Sequence, residues 1–223
     1  MGKKTILVLL ATLLGLAGAA QAGILDAIRS PDPSDDVSVL KSLYREHFKP
    51  DDVQFGVLLK GSRDGPEHLA VYCYLSKESG RDYNYILGLR RGGDSWQVVF
   101  EKLKIDVGGI FVSLPSRPGP PYGKAYGYWK KEPRTKVRLT DVEIVDWVNA
   151  RVLSASLGIG ADEVLARRAN GEKISAIAGK TYREKHKGGP SAEKEKSKDT
   201  AKGKGRSRGT GTCTAAGPPG KKK

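Results

Sequence analysis

Cysteine and histidine are scarce in this chain of 223 residues, which has two of the first and three of the second. His47, His68 and His186 lie in separate segments, and none is near a cysteine or another histidine at a metal-ligand spacing. Cys73 and Cys213 define no disulfide framework, although an oxidising compartment would permit a bridge. We therefore expect no metal and no cofactor, with Cys73 a small buried residue and Cys213 an exposed thiol.

Catalytic motifs are also missing. The sequence contains no G-x-S-x-G element, phosphate-binding loop, H-E-x-x-H zinc motif or calcium-binding loop. The acidic pairs Asp35-Asp36 and Asp51-Asp52 fall at the start of a predicted helix and in a turn, where carboxylates usually cap backbone N–H groups. An enzyme site assembled in space is not excluded, but no motif gives a positive reason to propose one. We expect a non-catalytic protein.

An apolar run near the N-terminus is too short for a membrane-spanning helix, which needs roughly 20 residues. This run, Thr5 to Ala17, follows two lysines and precedes Ala20-Gln21-Ala22, an A-x-A arrangement of small residues. The layout is typical of a cleaved secretory signal peptide over residues 1–22. We expect a mature chain that begins at Gly23, is secreted or exported to a bacterial periplasm, and has no transmembrane segment after cleavage.

The formal net charge of +14 is unevenly distributed. Residues 183–223 carry +9 and the two leader lysines +2, which leaves only +3 for residues 23–182. Residues 188–223 include no Val, Ile, Leu or aromatic residue, so they cannot bury enough apolar area to offset the entropy of ordering. We predict a disordered basic tail there, which either solubilises the protein or attracts polyanions through charge. The cations that would contact a polyanion are Lys202, Lys204, Arg206 and Arg208.

Residues 23–114 have the pattern of an α+β domain. Apolar residues from Asp35 to Phe48 recur at helical spacing after a candidate N-cap, Ser34. Short alternating runs, with Gly92-Gly93-Asp94-Ser95 as a hairpin connection, then predict an antiparallel four- to five-stranded meander packed on this N-terminal helix. The predicted strands are Val53–Lys60, His68–Ser76, Tyr83–Arg91, Trp96–Ile105 and Ile110–Leu114.

Residues 115–139 are predicted to form a linker, because five prolines and three glycines interrupt them. Aromatic rings stack on sugars and lysines attract phosphate or carboxylate groups, so this segment is a candidate for binding a cell-envelope glycan or another acidic polymer. In the alternative interpretation, its tyrosines lock a proline-stiffened linker onto one domain. The candidate binding residues are Tyr122, Lys124, Tyr126, Tyr128, Trp129, Lys130 and Lys131.

Residues 140–187 predict a small three-helix module. Thr140 and Glu143 form a capping box before the first helix, and Gly158 favours its end. The helices are predicted over 140–157, 161–170 and 172–187. The turn between the last two also permits a helix-turn-helix interpretation. The cations that would then contact DNA phosphates are Arg167, Arg168, Lys173, Lys180 and Arg183.

Together these patterns predict an exported, envelope-associated interaction or binding protein, whose partner is an anionic envelope polymer or another exported protein. One alternative is a cone-shaped α+β domain that binds or converts a small ligand, with His68 or Asp94 as polar contacts. The residues lining its concavity would be Tyr72, Tyr74, Tyr83, Tyr85 and Trp96. The second alternative is nucleic-acid binding by the helical module, which requires an uncleaved leader because export removes the protein from chromosomal DNA.

Overall fold

The computed structural model describes residues 31–132 and 136–187. Within these residues the chain forms nine α-helices and two 3-10 helices, and no β-strand. The α-helices are α1 (Asp36–Phe48), α2 (Asp52–Gly61), α3 (Leu69–Ser79), α4 (Tyr83–Arg91), α5 (Trp96–Lys102), α6 (Gly123–Lys131), α7 (Asp141–Leu157), α8 (Ala161–Ala169) and α9 (Ile174–His186). The 3-10 helices are Pro66–His68 and Val107–Ile110. The predicted signal peptide and basic tail, including Lys202, Lys204, Arg206 and Arg208, lie outside the described residues.

The predicted antiparallel meander is wrong, and with it the α+β fold class. Four of the five runs predicted as strands fall on the helices α2 to α5, and the fifth begins at the last residue of a 3-10 helix and forms no strand. Helix α3 shows the physical reason, because every residue from Leu69 to Leu75 is buried. A helix enclosed on nearly all sides loses its 3.6-residue hydrophobic period, and its aromatic and β-branched residues then resemble a strand with two apolar faces.

The predicted turn at Asp51-Asp52 and the predicted hairpin connection that ends at Ser95 both contain helix caps. The carboxylate of Asp51 accepts hydrogen bonds from the backbone N–H groups of Val53 and Gln54 at the start of α2. The side chains of Asp82 and Ser95 cap α4 and α5 in the same way. Each cap satisfies an N–H group that has no partner within the helix, which contributes about 1 kcal/mol. The predicted hairpin before Ser95 is therefore a connection between two helices.

The first helix and the last three are confirmed. Helix α1 begins where expected, although its N-cap is Asp35 rather than Ser34. The capping box of α7 is complete, because the Thr140 N–H group donates to Glu143 Oε2 at 2.8 Å and the Glu143 N–H group donates to Thr140 Oγ1 at 3.2 Å. Helix α7 ends at Gly158 in the left-handed conformation, and α8 and α9 lie within two residues of their predicted bounds.

Helix α7 lies at the centre of the core and packs against α1, α3, α5, α8 and α9. The described helices before and after the predicted linker therefore belong to one compact unit. Asn149 of α7 is fully buried, accepts a hydrogen bond from the Tyr44 hydroxyl, and donates to the carbonyl oxygen of Glu67 at 2.9 Å. This amide ties α7 to α1 and to the first 3-10 helix.

Candidate anion-binding surface

Helix α6 lies inside the segment predicted as a linker, and it divides the candidate binding residues into a buried and an exposed set. Tyr122 and Tyr126 are 3% and 0% exposed, and Trp129 is half-buried. Tyr128 is 57% exposed, so its ring is available to a ligand. The candidate lysines are exposed as well: Lys124, Lys130 and Lys131.

The buried aromatic residues anchor α6. The Tyr126 ring stacks on Trp147 of α7 with 5.4 Å between centroids, and its hydroxyl accepts a hydrogen bond from the Leu114 N–H group at 2.8 Å. The Trp129 ring packs against Phe111 with 5.2 Å between centroids. These contacts fix the rotation of α6 about its own axis, so that its lysines project into solvent. The buried tyrosines thus hold this segment onto the fold, as the alternative interpretation expected.

A buried carboxylate fixes the residue that precedes α6. Asp146 of α7 is 1% exposed, and it accepts hydrogen bonds from the Tyr122 hydroxyl and from Arg168 Nε, each at 2.7 Å. Burial and the hydrogen bond to Asp146 raise the pKa of Tyr122, so the hydroxyl stays protonated and keeps its role as donor. Arg168 also donates to the carbonyl oxygen of Glu172 at 2.7 Å. The network connects the start of α6 to α7 and α8.

Arg117 joins the lysines of α6, although sequence reasoning did not include it. Its Nε donates to the carbonyl oxygen of Gly123 at 2.8 Å. Its guanidinium group lies over Gly127, where an added Cβ atom would be 3.0 Å from Arg117 Cζ. The two glycines are one helical turn apart, so α6 presents a strip of bare backbone on which the cation rests. The glycine spacing was visible in the sequence, but the residue that uses it was not.

A groove of about 390 Å³ runs along this face of α6. Its exposed charged and aromatic residues, called the α6 surface below, are Arg117, Lys124, Tyr128, Lys130 and Lys131. Within residues 31–132 and 136–187 none of the four cations forms an ion pair, although Lys130 Nζ lies 5.8 Å from the centre of the Tyr126 ring. Cations without carboxylate partners around an exposed ring can hold an anionic group attached to a sugar ring.

The residues predicted to line a small-ligand cavity are mostly core residues. Tyr72, Tyr74, Tyr83 and Trp96 are buried, whereas Tyr85 is exposed on α4. Because the described part of the chain contains no strand, the cone-shaped sheet is wrong. These rings contribute to helix packing instead.

The two polar residues proposed for that cavity, His68 and Asp94, lie beside Arg90 of α4. The Arg90 guanidinium group is 4.3 Å from the Trp96 ring centre and donates to the Asp94 carbonyl oxygen at 2.7 Å and to Asp141 at 2.9 Å. Trp96 Nε1 donates to His68 Nδ1 at 3.0 Å. The cluster joins α4, α5 and α7, so we assign it to the stability of the fold.

The arginines considered for DNA contact have partners within the chain. Arg168 pairs with buried Asp146, and Arg183 pairs with Asp36 of α1 at 2.8 Å. Arg167 pairs with Glu172, while Lys173 and Lys180 are exposed. The ion pairs connect α8 to α7 and α9 to α1, so the three arginines stabilise the helix packing.

The prediction that Cys73 is buried is confirmed, and burial raises the pKa of its thiol to about 12. Cys213 lies outside the described residues. Among the residues that the structure describes, no three His, Cys, Asp or Glu side chains are grouped as metal ligands would be. In the same part of the chain, no helix combines the length and the hydrophobicity needed to cross a bilayer.

No protein-family model matches the chain, and no curated protein or solved structure is detectably similar to it. One fold supports many functions, so a function has to be argued from the chemical groups that a surface presents. The α6 surface presents cations without carboxylate partners in the described residues, together with an exposed ring.

Proposed function

We propose that this protein is an exported, non-catalytic binding protein that holds an acidic envelope polysaccharide on the α6 surface. The observation that carries the proposal is the groove in which Arg117, Lys124, Lys130 and Lys131 surround the exposed ring of Tyr128. Export is an expectation from the leader sequence. It would bring acidic polymers of the envelope within reach of this surface.

Charge complementarity supports an anionic ligand. A concave surface lined by charges of one sign raises the local concentration of ligands of the opposite sign. Each exposed ion pair contributes about 0–1 kcal/mol, so several are needed for measurable affinity. Such binding weakens with added salt, because charges separated by more than about 10 Å are largely screened at 0.1 M ionic strength.

The position of Tyr128 supports a sugar rather than a bare anion. Lys124 is four residues before Tyr128 and Lys131 is three residues after it, so the three side chains lie along one side of α6. A sugar ring stacked on Tyr128 would place its carboxylate within reach of both lysines. The ring contributes apolar contact that a small inorganic anion cannot use.

Isothermal titration of the mature chain with oligomannuronate, an acidic oligosaccharide, tests the proposal. We expect Lys124→Ala/Lys131→Ala to weaken binding roughly thirtyfold at low salt, since two lysines that each contribute about 1 kcal/mol near an anionic ligand together contribute about 2 kcal/mol. Tyr128→Ala should also weaken binding. Neutral maltohexaose should not bind.

The matched control is Lys60→Ala/Lys180→Ala, which removes the same charge from exposed positions on α2 and α9. The affinity of this control variant for oligomannuronate should stay within about twofold of that of the unmodified protein. Removing residues 188–223 measures the separate contribution of the predicted tail. An equal loss in the control and the α6 variant, or no binding by the unmodified chain, would show that the proposal is wrong.

A further inference from the structure

A second groove adjoins the α6 surface, and a third groove adjoins the second. The second, of about 490 Å³, shares Lys124 and Tyr128 with the first and continues to Lys136 and Arg138. The third, of about 890 Å³, shares Lys136 and Arg138 with the second and continues to Lys104. Neighbouring grooves have lining residues in common, and the three together are called the basic groove below.

Positive charge extends along the whole basic groove. Seven Lys or Arg side chains line it, against three carboxylates. In the described ranges none of the three added cations, Lys104, Lys136 and Arg138, takes part in an ion pair. The cations of the α6 surface and these three are thus available to one ligand.

The three carboxylates of the basic groove already hold local structure. Glu143 forms the capping box of α7, and Asp106 accepts a hydrogen bond from the Gly108 N–H group at 2.9 Å. Glu101 accepts one from Gln97 Nε2 at 3.1 Å. These neutral donors fix the carboxylates in place without cancelling their charge, so the seven cations against three carboxylates leave the lining with a formal charge of +4.

We propose that the basic groove binds an extended stretch of an acidic polysaccharide, with several consecutive sugars in contact at once. This inference rests on the proposed function and extends the contact from the sugar at Tyr128 to the sugars on either side of it in the polymer. A linear polymer carries charges along its length, and the basic groove has cations in each of its three parts. Once one sugar is bound at Tyr128, the neighbouring sugars reach the remaining cations at high effective concentration.

The shape and the aromatic content of the basic groove favour a polysaccharide over other polyanions. A flat bilayer would contact the rim of a concave path and not its floor. Grooves for single-stranded nucleic acid stack successive bases on several aromatic rings. Along the described lining of the basic groove, Tyr128 is the one exposed ring.

Lys104 offers a way to remove a groove cation without harming the fold. Its φ is 58°, a left-handed conformation that glycine adopts without strain. Lys49, which also follows a helix, has a φ of 50° and does not line the basic groove. Lys49→Gly is therefore a matched control for Lys104→Gly, with the same charge lost and the same backbone conformation relieved.

Titration with oligomannuronates of defined length, from dimer to dodecamer, tests the inference. We expect the affinity to rise at least about tenfold from the dimer to the longer oligomers and then to level off when the groove is filled. Lys136→Ala/Arg138→Ala and Lys104→Gly should lower the affinity for the long oligomers and leave the affinity for the dimer unchanged. Lys124→Ala/Lys131→Ala should lower the affinity for both the dimer and the long oligomers. Lys49→Gly should change neither affinity.

The outcomes separate this inference from the proposed function. If the dimer binds and the changes at Lys104, Lys136 and Arg138 leave the affinity for long oligomers unaffected, the proposal of an extended binding groove is wrong. The proposed site on the α6 surface then stands. If no oligomannuronate binds, both are wrong. Tighter binding of single-stranded oligothymidylate of equal charge, or binding confined to anionic phospholipid vesicles, would overturn the polysaccharide assignment.

Discussion

The guanidinium group of Arg117 lies on Gly127, so that a Cβ atom at residue 127 would come within 3.0 Å of Arg117 Cζ and Nη2. The same side chain donates to the Gly123 carbonyl oxygen. A cation that rests on bare helix backbone keeps its remaining N–H groups for a ligand. The position of this charge therefore depends on the absence of a side chain at residue 127.

Gly127→Ala should displace Arg117 while leaving the fold intact. The methyl group would meet the far end of a flexible side chain, and alanine favours a helix over glycine by about 1 kcal/mol. We expect an unchanged or higher free energy of unfolding in urea. The affinity for oligomannuronate should fall roughly threefold to tenfold, because one cation of the groove has moved.

Gly88→Ala on α4 is the control for this substitution. A Cβ atom at residue 88 would meet no atom within 4 Å. The free energy of unfolding should rise by about 0.5–1 kcal/mol, with no change in binding. If Gly127→Ala binds as tightly as Gly88→Ala, Arg117 takes no part in ligand binding.

Replacing either of the two lysines with a left-handed backbone conformation, Lys49 or Lys104, by glycine should stabilise the fold. A left-handed conformation costs a residue with a Cβ atom roughly 1–2 kcal/mol, partly offset by the greater freedom of glycine in the unfolded chain. We expect each substitution to raise the free energy of unfolding in urea by up to about 1 kcal/mol. A loss of stability in Lys104→Gly would mean that its side chain contributes contacts that outweigh the strain.

How much of the fold could be predicted depended on where each helix begins and what encloses it. Helix α7 was predictable because Thr140 and Glu143 mark its start and Gly158 its end. Helix α3 was not, since seven consecutive buried residues remove the polar face that defines a helical period. Asp82 and Ser95 are ordinary N-cap residues, but they resemble turn residues when the following run is assigned to a strand.

Part of the candidate site was predictable, because some of its residues form a visible pattern in the sequence and others do not. Lys124, Tyr128 and Lys131 stand out because charged and aromatic residues crowd in a short segment. Arg117 was missed because its partner is backbone, and backbone partners leave no side-chain pattern in the sequence. Lys104 joins the groove through folding alone, which brings the end of α5 beside the segment before α7.

The buried ion pair of Asp146 and Arg168 should show a large and non-additive effect on stability. Arg168→Met leaves a carboxylate that is 1% exposed without its charge partner, so we expect a loss of about 3–5 kcal/mol in urea unfolding. Asp146→Leu/Arg168→Met removes both charges and should lose less than the sum of the single changes. Additive losses would show that the two groups are not coupled.

The fold should lose stability as the pH falls through the range in which unfolded histidine takes up a proton. His68 Nδ1 accepts the hydrogen bond from Trp96 Nε1, which requires the neutral ring. Burial lowers the pKa of His68 below its ordinary 6.5, with the charge of Arg90 acting in the same direction and the charges of Asp64, Glu67 and Asp141 opposing it. The unfolded chain therefore binds a proton at a higher pH than the native protein does.

The direction of the pH effect on stability follows from this difference in proton binding between the unfolded and the native protein. Below about pH 6.5 the unfolded state holds more protons than the folded state, so the free energy of unfolding decreases as the pH drops towards about 5. His68→Gln should flatten this decrease, because its amide oxygen can accept from Trp96 without titrating. His47→Gln should flatten it further, since burial lowers the pKa of His47 as well. Urea unfolding at several pH values measures both effects, and an unchanged slope in His68→Gln would mean that His68 takes up its proton at the same pH in the native and the unfolded protein.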